Sequence, residues 1–144
     1  MTRTVHTLTV PSSTHQLEKV RRFVEVHAQQ AHLPAGAVED VRIAVDEACS
    51  NIIKHAYGET GEQPIDIAVI VAPNRFTVRI RDRGRPFDPT RYEEPDVVKL
   101  ARRRRGGGLG VYLMRQLMDQ VEYRTRGNTN EVRLTKYRNG QENG

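Results

Sequence analysis

The segment IDIAVIVAPNRFTVRIRD, residues 65–82, constrains the fold of this chain more than any other. Two halves rich in β-branched and apolar residues flank the letters APN, which predicts a β-hairpin. In the second half, Phe76, Val78 and Ile80 alternate with polar residues and are expected on the buried face. Asp82 is next in that series, so a carboxylate is predicted to point toward the core, where it needs a partner.

Hydrophobic periodicity predicts the other elements in the order β-α-α-β-β-loop-α-β-β. This order predicts a single α+β domain over residues 1–144: a two-layer sandwich with a mixed, mostly antiparallel sheet and helices on one face. The expected elements are strand 4–10, helices 13–31 and 37–56, strands 65–71 and 75–82, helix 106–119, and a closing hairpin of QVEYRT and NEVRLTKY.

The composition of the chain indicates its cellular location and the charge of its partners. No apolar run approaches the ~20 residues that span a bilayer, and the first residues lack the apolar core of a secretory signal. Cys49 is the single cysteine, so an internal disulfide is impossible and a cysteine-based metal site is not expected. We therefore expect a cytoplasmic protein without a membrane partner. The net charge of +5 suits an anionic ligand or partner.

The helix predicted over 37–56 carries an acid and an amide beside its apolar stripe. Glu47 and Asn51 lie one turn apart on one flank, where both side chains can meet the same ligand. Taken alone, the pair is weak, because solvated Glu and Asn are common on helices. The stripe itself is formed by Val41, Ala44, Ala48 and Ile52.

The glycine cluster GGGLG at 106–110 opens the last predicted helix. It lacks the Gly-Lys-Ser/Thr of a Walker A loop, and it does not follow the first strand of a dinucleotide fold. Backbone amides at a helix N-terminus can still hold phosphate oxygens, because glycine permits close approach. The alternative is a plain flexible turn.

Three motifs in this order are more specific than any one of them. Glu47-x-x-x-Asn51 on a helix, Asp82-x-Gly84 at a strand end, and a long loop before the glycine cluster resemble the N, G1 and G2 boxes of the GHKL ATPase superfamily, which has the Bergerat fold. The sequence DEACSNIIKHAY resembles that of the anti-sigma-factor serine/threonine kinases within this superfamily. The resemblance covers roughly residues 8–137.

The resemblance implies a role for each matching residue. Glu47 matches the catalytic base, and Asn51 matches the ligand of the Mg²⁺ that accompanies ATP. Asp82 matches the acid that accepts a hydrogen bond from the adenine amino group, which would be its missing partner, and Gly84 lets the backbone pass close to the base. Residues 86–108 match the ATP lid.

The phosphate-contacting residues that the resemblance implies lie at the end of the lid and after it. Its common first box has a second glycine where this chain has Pro86, but DRGRPFDP resembles the form of the anti-sigma branch. The last box ends in Gly-Thr before the final strand, and here Thr129 or Asn130 takes that place. The implied phosphate contacts are Arg105, Gly106, Gly108, Leu109, Gly110 and Asn130.

Such a kinase binds Mg-ATP, holds a sigma factor inactive and phosphorylates a small anti-sigma antagonist on serine or threonine, and the family suggests a homodimer. Two alternatives stay open: a nucleotide-dependent binding module without useful kinase activity, and a detached catalytic domain of a histidine kinase. Direct nucleic-acid binding through Arg102 to Arg105 ranks last, because one short basic run lacks a recognition element.

Overall fold

The computed structural model describes residues 3–56, 63–84 and 107–138. This part of the chain folds into one sheet and one layer of helices. The strands are β1 (Thr4–Pro11), β2 (Pro64–Ala72), β3 (Arg75–Asp82), β4 (Gln120–Arg126) and β5 (Thr129–Tyr137), and the helices are α1 (Leu17–Gln30), α2 (Ala35–Asn51) and α3 (Gly107–Leu117).

The five described strands form one sheet in the order β1-β2-β3-β5-β4. The predicted α+β sandwich is confirmed, but the four strand pairings are all antiparallel rather than mixed. The reason is the place of β5. The helix α3 carries the chain from β3 to β4, which run in the same direction, and the final hairpin then inserts β5 between them. No parallel neighbours result among the described strands.

The helices cover one face of the sheet. The predicted alternation of β3 is confirmed, since Phe76, Val78 and Ile80 are fully buried there. Residues of α1, α2 and α3 belong to the same apolar core, so the apolar stripes of all three helices face the sheet. From the helices the core includes Val20, Val24, Ala28, Val41, Ala44, Val45, Ala48, Val111 and Met114.

Helix boundaries differ from the predicted ones at the ends of the first two helices. The hydroxyl of Ser13 accepts a hydrogen bond from the His15 amide, and residues 14–16 form a 3-10 turn before α1 begins. Helix α2 ends at Asn51, and Ile52–Ala56 continue as a π-helical turn. Such turns occur often at functional sites. Asn51 is therefore the last α-helical residue of its helix.

Candidate functional site

The first part of the site lies between α2 and α3. Glu47 and Asn51 are both half-buried on α2, and the first turn of α3 packs against them at Gly110. A Cβ added to Gly110 would lie 2.8 Å from Oε1 of Glu47 and 3.4 Å from Nδ2 of Asn51. A Cβ essentially never comes within 3.0 Å of a heavy atom of a residue that is not its neighbour in the chain. The structure thus brings together the acid, the amide and one glycine of the predicted turn, and any side chain at residue 110 would have to displace the carboxylate of Glu47.

The surroundings of Glu47 favour its neutral form. Burial raises the pKa of its carboxyl, and the neighbouring charge of Asp46 raises it further, while Lys54 acts in the opposite direction. A carboxylate whose pKa is raised is a stronger base than an ordinary glutamate, provided that it is still ionised at working pH.

Sequence reasoning missed the residues that hold Asp46. The Nε of Arg21, on α1, donates to both carboxylate oxygens of Asp46 at 2.9 and 2.8 Å, and Nη1 of Arg42 lies 3.9 Å from Oδ2. Arg42 could have been found, because it precedes Asp46 by four residues on one helix. Arg21 could not, since its contact depends on how α1 and α2 pack.

The second part of the site lies at the ends of β3 and β5. Asp82 is 6% exposed, so its predicted inward direction is confirmed. Its Oδ1 accepts hydrogen bonds from the Gly84 amide at 2.8 Å and from Nδ2 of Asn130 at 3.0 Å. The protein itself therefore supplies partners for Oδ1 of Asp82, as the burial of a carboxylate requires. The register brings Asn130 to this place, because it pairs Asp82 with Asn130 across the two strands.

Asn130 is itself buried and engaged on several sides. Its Nδ2 also donates to the Gly84 carbonyl at 2.9 Å, and its Oδ1 accepts a hydrogen bond from the Thr125 hydroxyl at 3.2 Å. The side chain thus links β4, β5 and the turn after β3. Of the two residues that the sequence left open, Asn130 joins the Asp82 cluster, and Thr125 is a participant that no sequence signal indicated.

Gly108 and Leu109 belong to the first turn of α3. The predicted lid up to residue 106, including Arg105 and Gly106, lies outside the described residues. Cys49 is buried, and burial raises the pKa of its thiol to about 12, as suits a packing residue.

The described part of the chain contains neither a metal cluster nor a membrane-spanning helix. Within residues 3–56, 63–84 and 107–138, no group of three or more His, Cys, Asp or Glu side chains could hold a metal ion. No described helix is both long and apolar enough to cross a membrane.

Comparison with known proteins agrees with this arrangement. Residues 10–136 match the histidine kinase-like ATPase domain family. The serine-protein kinase RsbW of Bacillus subtilis (strain 168) is 31% identical over 140 residues, which cover 92% of this chain and 84% of that protein. RsbW of Listeria monocytogenes serovar 1/2a is 35% identical over 138 residues, which cover 92% and 87%.

Two solved structures share the fold. The RsbU and RsbW domains of Rv1364c from Mycobacterium tuberculosis superpose with a TM-score of 0.67 at 14% identity, over 94% of this chain and 32% of that one. The SiaB–SiaC complex from Pseudomonas aeruginosa gives a TM-score of 0.62 at 14% identity, over 90% and 88%. These two structures show the fold, and the sequence matches show that the chain belongs to the histidine kinase-like ATPase domain family, in the branch of the RsbW serine-protein kinases.

Proposed function

We propose that this chain is a cytoplasmic, ATP-dependent protein serine/threonine kinase that acts as an anti-sigma factor, as a homodimer, and phosphorylates a small anti-sigma antagonist. The observation that carries this proposal is the position of Glu47. It is a half-buried carboxylate with a raised pKa, one turn from Asn51 and in contact with the helix that begins at the glycine cluster. The relatives of this chain are named serine-protein kinases, which supports the same chemistry.

The residues of the first part of the site, between α2 and α3, fit the phosphate groups of a nucleotide. The amide oxygen of Asn51 is a hard ligand of the kind that Mg²⁺ takes together with phosphate oxygens and waters. The N-terminus of α3 offers backbone amides and the positive end of a helix dipole to phosphate. When Mg-ATP is bound, ATP supplies the phosphoryl group and the Mg²⁺ ion neutralises the charge of the phosphate oxygens. Glu47 accepts the proton of the attacking hydroxyl and orients that oxygen.

The residues of the second part fit an adenine. Asn130 and the Gly84 amide hold Oδ1 of Asp82 in place, and we assign Oδ2 to the exocyclic amino group of the base. A carboxylate fixed in this way is a strong acceptor, since a hydrogen bond to a charged group is worth about 1.5–3 kcal/mol. In this proposal Asn130 is a positioning residue for Asp82 rather than a phosphate contact.

The test is transfer of radiolabel from γ-labelled ATP to purified candidate antagonists, with the sigma factor as a parallel substrate. We expect label on the antagonist alone, and we expect it to survive acid, because phosphoserine is acid-stable whereas phosphohistidine is not. Acid-labile label would indicate the histidine-kinase alternative. ATP binding and partner binding without any transfer would indicate the binding-module alternative.

A further inference from the structure

The face of the sheet that points away from the helices carries a group of arginines. The strand register places Arg79 and Arg81 on β3, Arg133 on β5, and Arg124 and Arg126 on β4, all on this face. We call these five residues the arginine groove. Four of them line a depression of about 330 Å³, and Arg79 and Arg81 line a neighbouring depression of about 240 Å³.

Glu131 holds two of these arginines in position. Its Oε1 accepts from Nε of Arg81 and its Oε2 from Nε of Arg133, both at 2.8 Å. The Glu131 side chain is 10% exposed, whereas those of Arg81 and Arg133 are 40% and 36% exposed. One largely buried carboxylate therefore fixes two guanidinium groups that still face solvent, which prepares them to bind a further anion at little entropic cost.

Arg79 lacks such a counter-charge. Its cross-strand neighbours are Ala68 on β2 and Arg133 on β5, and directly opposite like charges destabilise a sheet. Among the residues that the structure describes, no carboxylate forms a salt bridge with it. Burial lowers the pKa of Arg79, and Arg81 lowers it further, while Glu131 opposes this only in part. A half-buried cation with cationic neighbours costs folding free energy, and an anionic ligand would offset that cost.

The chemistry of the groove favours protein carboxylates over a nucleic acid. The described residues that line its two depressions include no aromatic side chain on which a base could stack. Two acids flank the arginines, Asp66 opposite Arg81 and Glu122 opposite Arg133. A continuous phosphate backbone would meet these acids, whereas separate carboxylates can match separate guanidinium forks.

We propose that the arginine groove binds an acidic segment of a partner protein, whose carboxylates contact Arg79 and the exposed forks beside it. This surface is on the opposite side of the sheet from Glu47 and Asn51, so it extends the proposed function without depending on it.

The test uses a fluorescein-labelled peptide of alternating Glu and Ser, with a Gln-Ser peptide as the uncharged probe, and follows fluorescence anisotropy. Arg79→Gln should weaken binding of the Glu-Ser peptide about tenfold, the loss expected for one charged hydrogen-bonded contact. The matched control is Arg22→Gln, which removes the same charge from an exposed position on α1 and should bind as wild type does. Equal affinity of wild type and Arg79→Gln, or equal loss in both variants, would overturn the proposal.

A second readout separates a binding role from a structural one. Because Arg79→Gln removes a charge that Glu131 compensates only in part, its free energy of unfolding in urea should equal or exceed that of wild type. A clear loss of stability would assign Arg79 to the fold and overturn the proposal.

Two further results would also overturn the proposal. One is displacement of the peptide by duplex DNA at equal concentration, and the other is a dimer that Arg79→Gln abolishes. Calorimetric ATP binding should be the same in Arg79→Gln, so a failure of the groove is distinct from a failure of the nucleotide site.

Discussion

The two parts of the candidate site are held by different forces. Glu47 and Asn51 are positioned by packing, because α3 lies against them at a glycine. Asp82 is positioned by hydrogen bonds from Asn130 and Gly84. Packing fixes the position of a side chain but leaves its lone pairs available to a substrate. Hydrogen bonds fix the position of a carboxylate and also stabilise its negative charge. The comparison suggests that the first part determines the rate of transfer and the second the affinity for nucleotide.

The largest effect is expected at the first part. Glu47→Gln keeps the shape of the side chain but cannot accept a proton, so phosphate transfer in single turnover should slow by about 10²–10⁴-fold, with ATP affinity nearly unchanged. Glu25→Gln on α1 serves as the matched control. A variant as fast as wild type would show that Glu47 is not the base.

The next effect belongs to the second part. Asp82→Asn keeps an oxygen for Asn130 and Gly84 but places an amide where the adenine amino group would donate, so ATP affinity should fall by about 1.5–3 kcal/mol. Calorimetric titration measures this, and Asp66→Asn, on the opposite face of the sheet, is the control. Unchanged affinity in Asp82→Asn would remove the adenine assignment.

A smaller effect tests whether packing alone positions the first part. Gly110→Ala keeps the backbone amide but adds a Cβ that must displace Glu47, so transfer should slow by about tenfold, as small displacements of reacting groups do. Gly36→Ala on α2, where a Cβ meets nothing within 4 Å, is the control. If Gly110→Ala loses ATP affinity and not rate, the glycine serves phosphate rather than Glu47.

The smallest effect concerns pH. A base must be deprotonated, so transfer should fall as pH decreases through the pKa of Glu47, which burial and Asp46 raise above that of an ordinary glutamate. Asp46→Asn removes one of these causes and should move the acid limb of the pH–rate profile to lower pH. Asp66→Asn should leave the limb in place. A limb that moves upward in Asp46→Asn would contradict this account.

Local sequence patterns predicted the directions of side chains, and tertiary packing decided their partners. Strand alternation placed Asp82 inward, and helical spacing placed Glu47 beside Asn51, because both rules act within a few residues. Asn130 is 48 residues away from Asp82, and their contact exists only because β5 inserts between β3 and β4. The contact of Gly110 with Glu47 likewise depends on the packing of α2 against α3, which no periodicity encodes.

The interior position of β5 also has a consequence for biosynthesis. A chain emerges from the ribosome with its N-terminal end first, and β5 follows every other described strand. Until β5 is made, β3 is an exposed edge strand whose backbone groups are open to pairing with another chain. Asp82 also lacks Asn130 during that time. We therefore expect a nascent chain to be prone to aggregation and unable to bind nucleotide as long as β5 has not emerged from the ribosome.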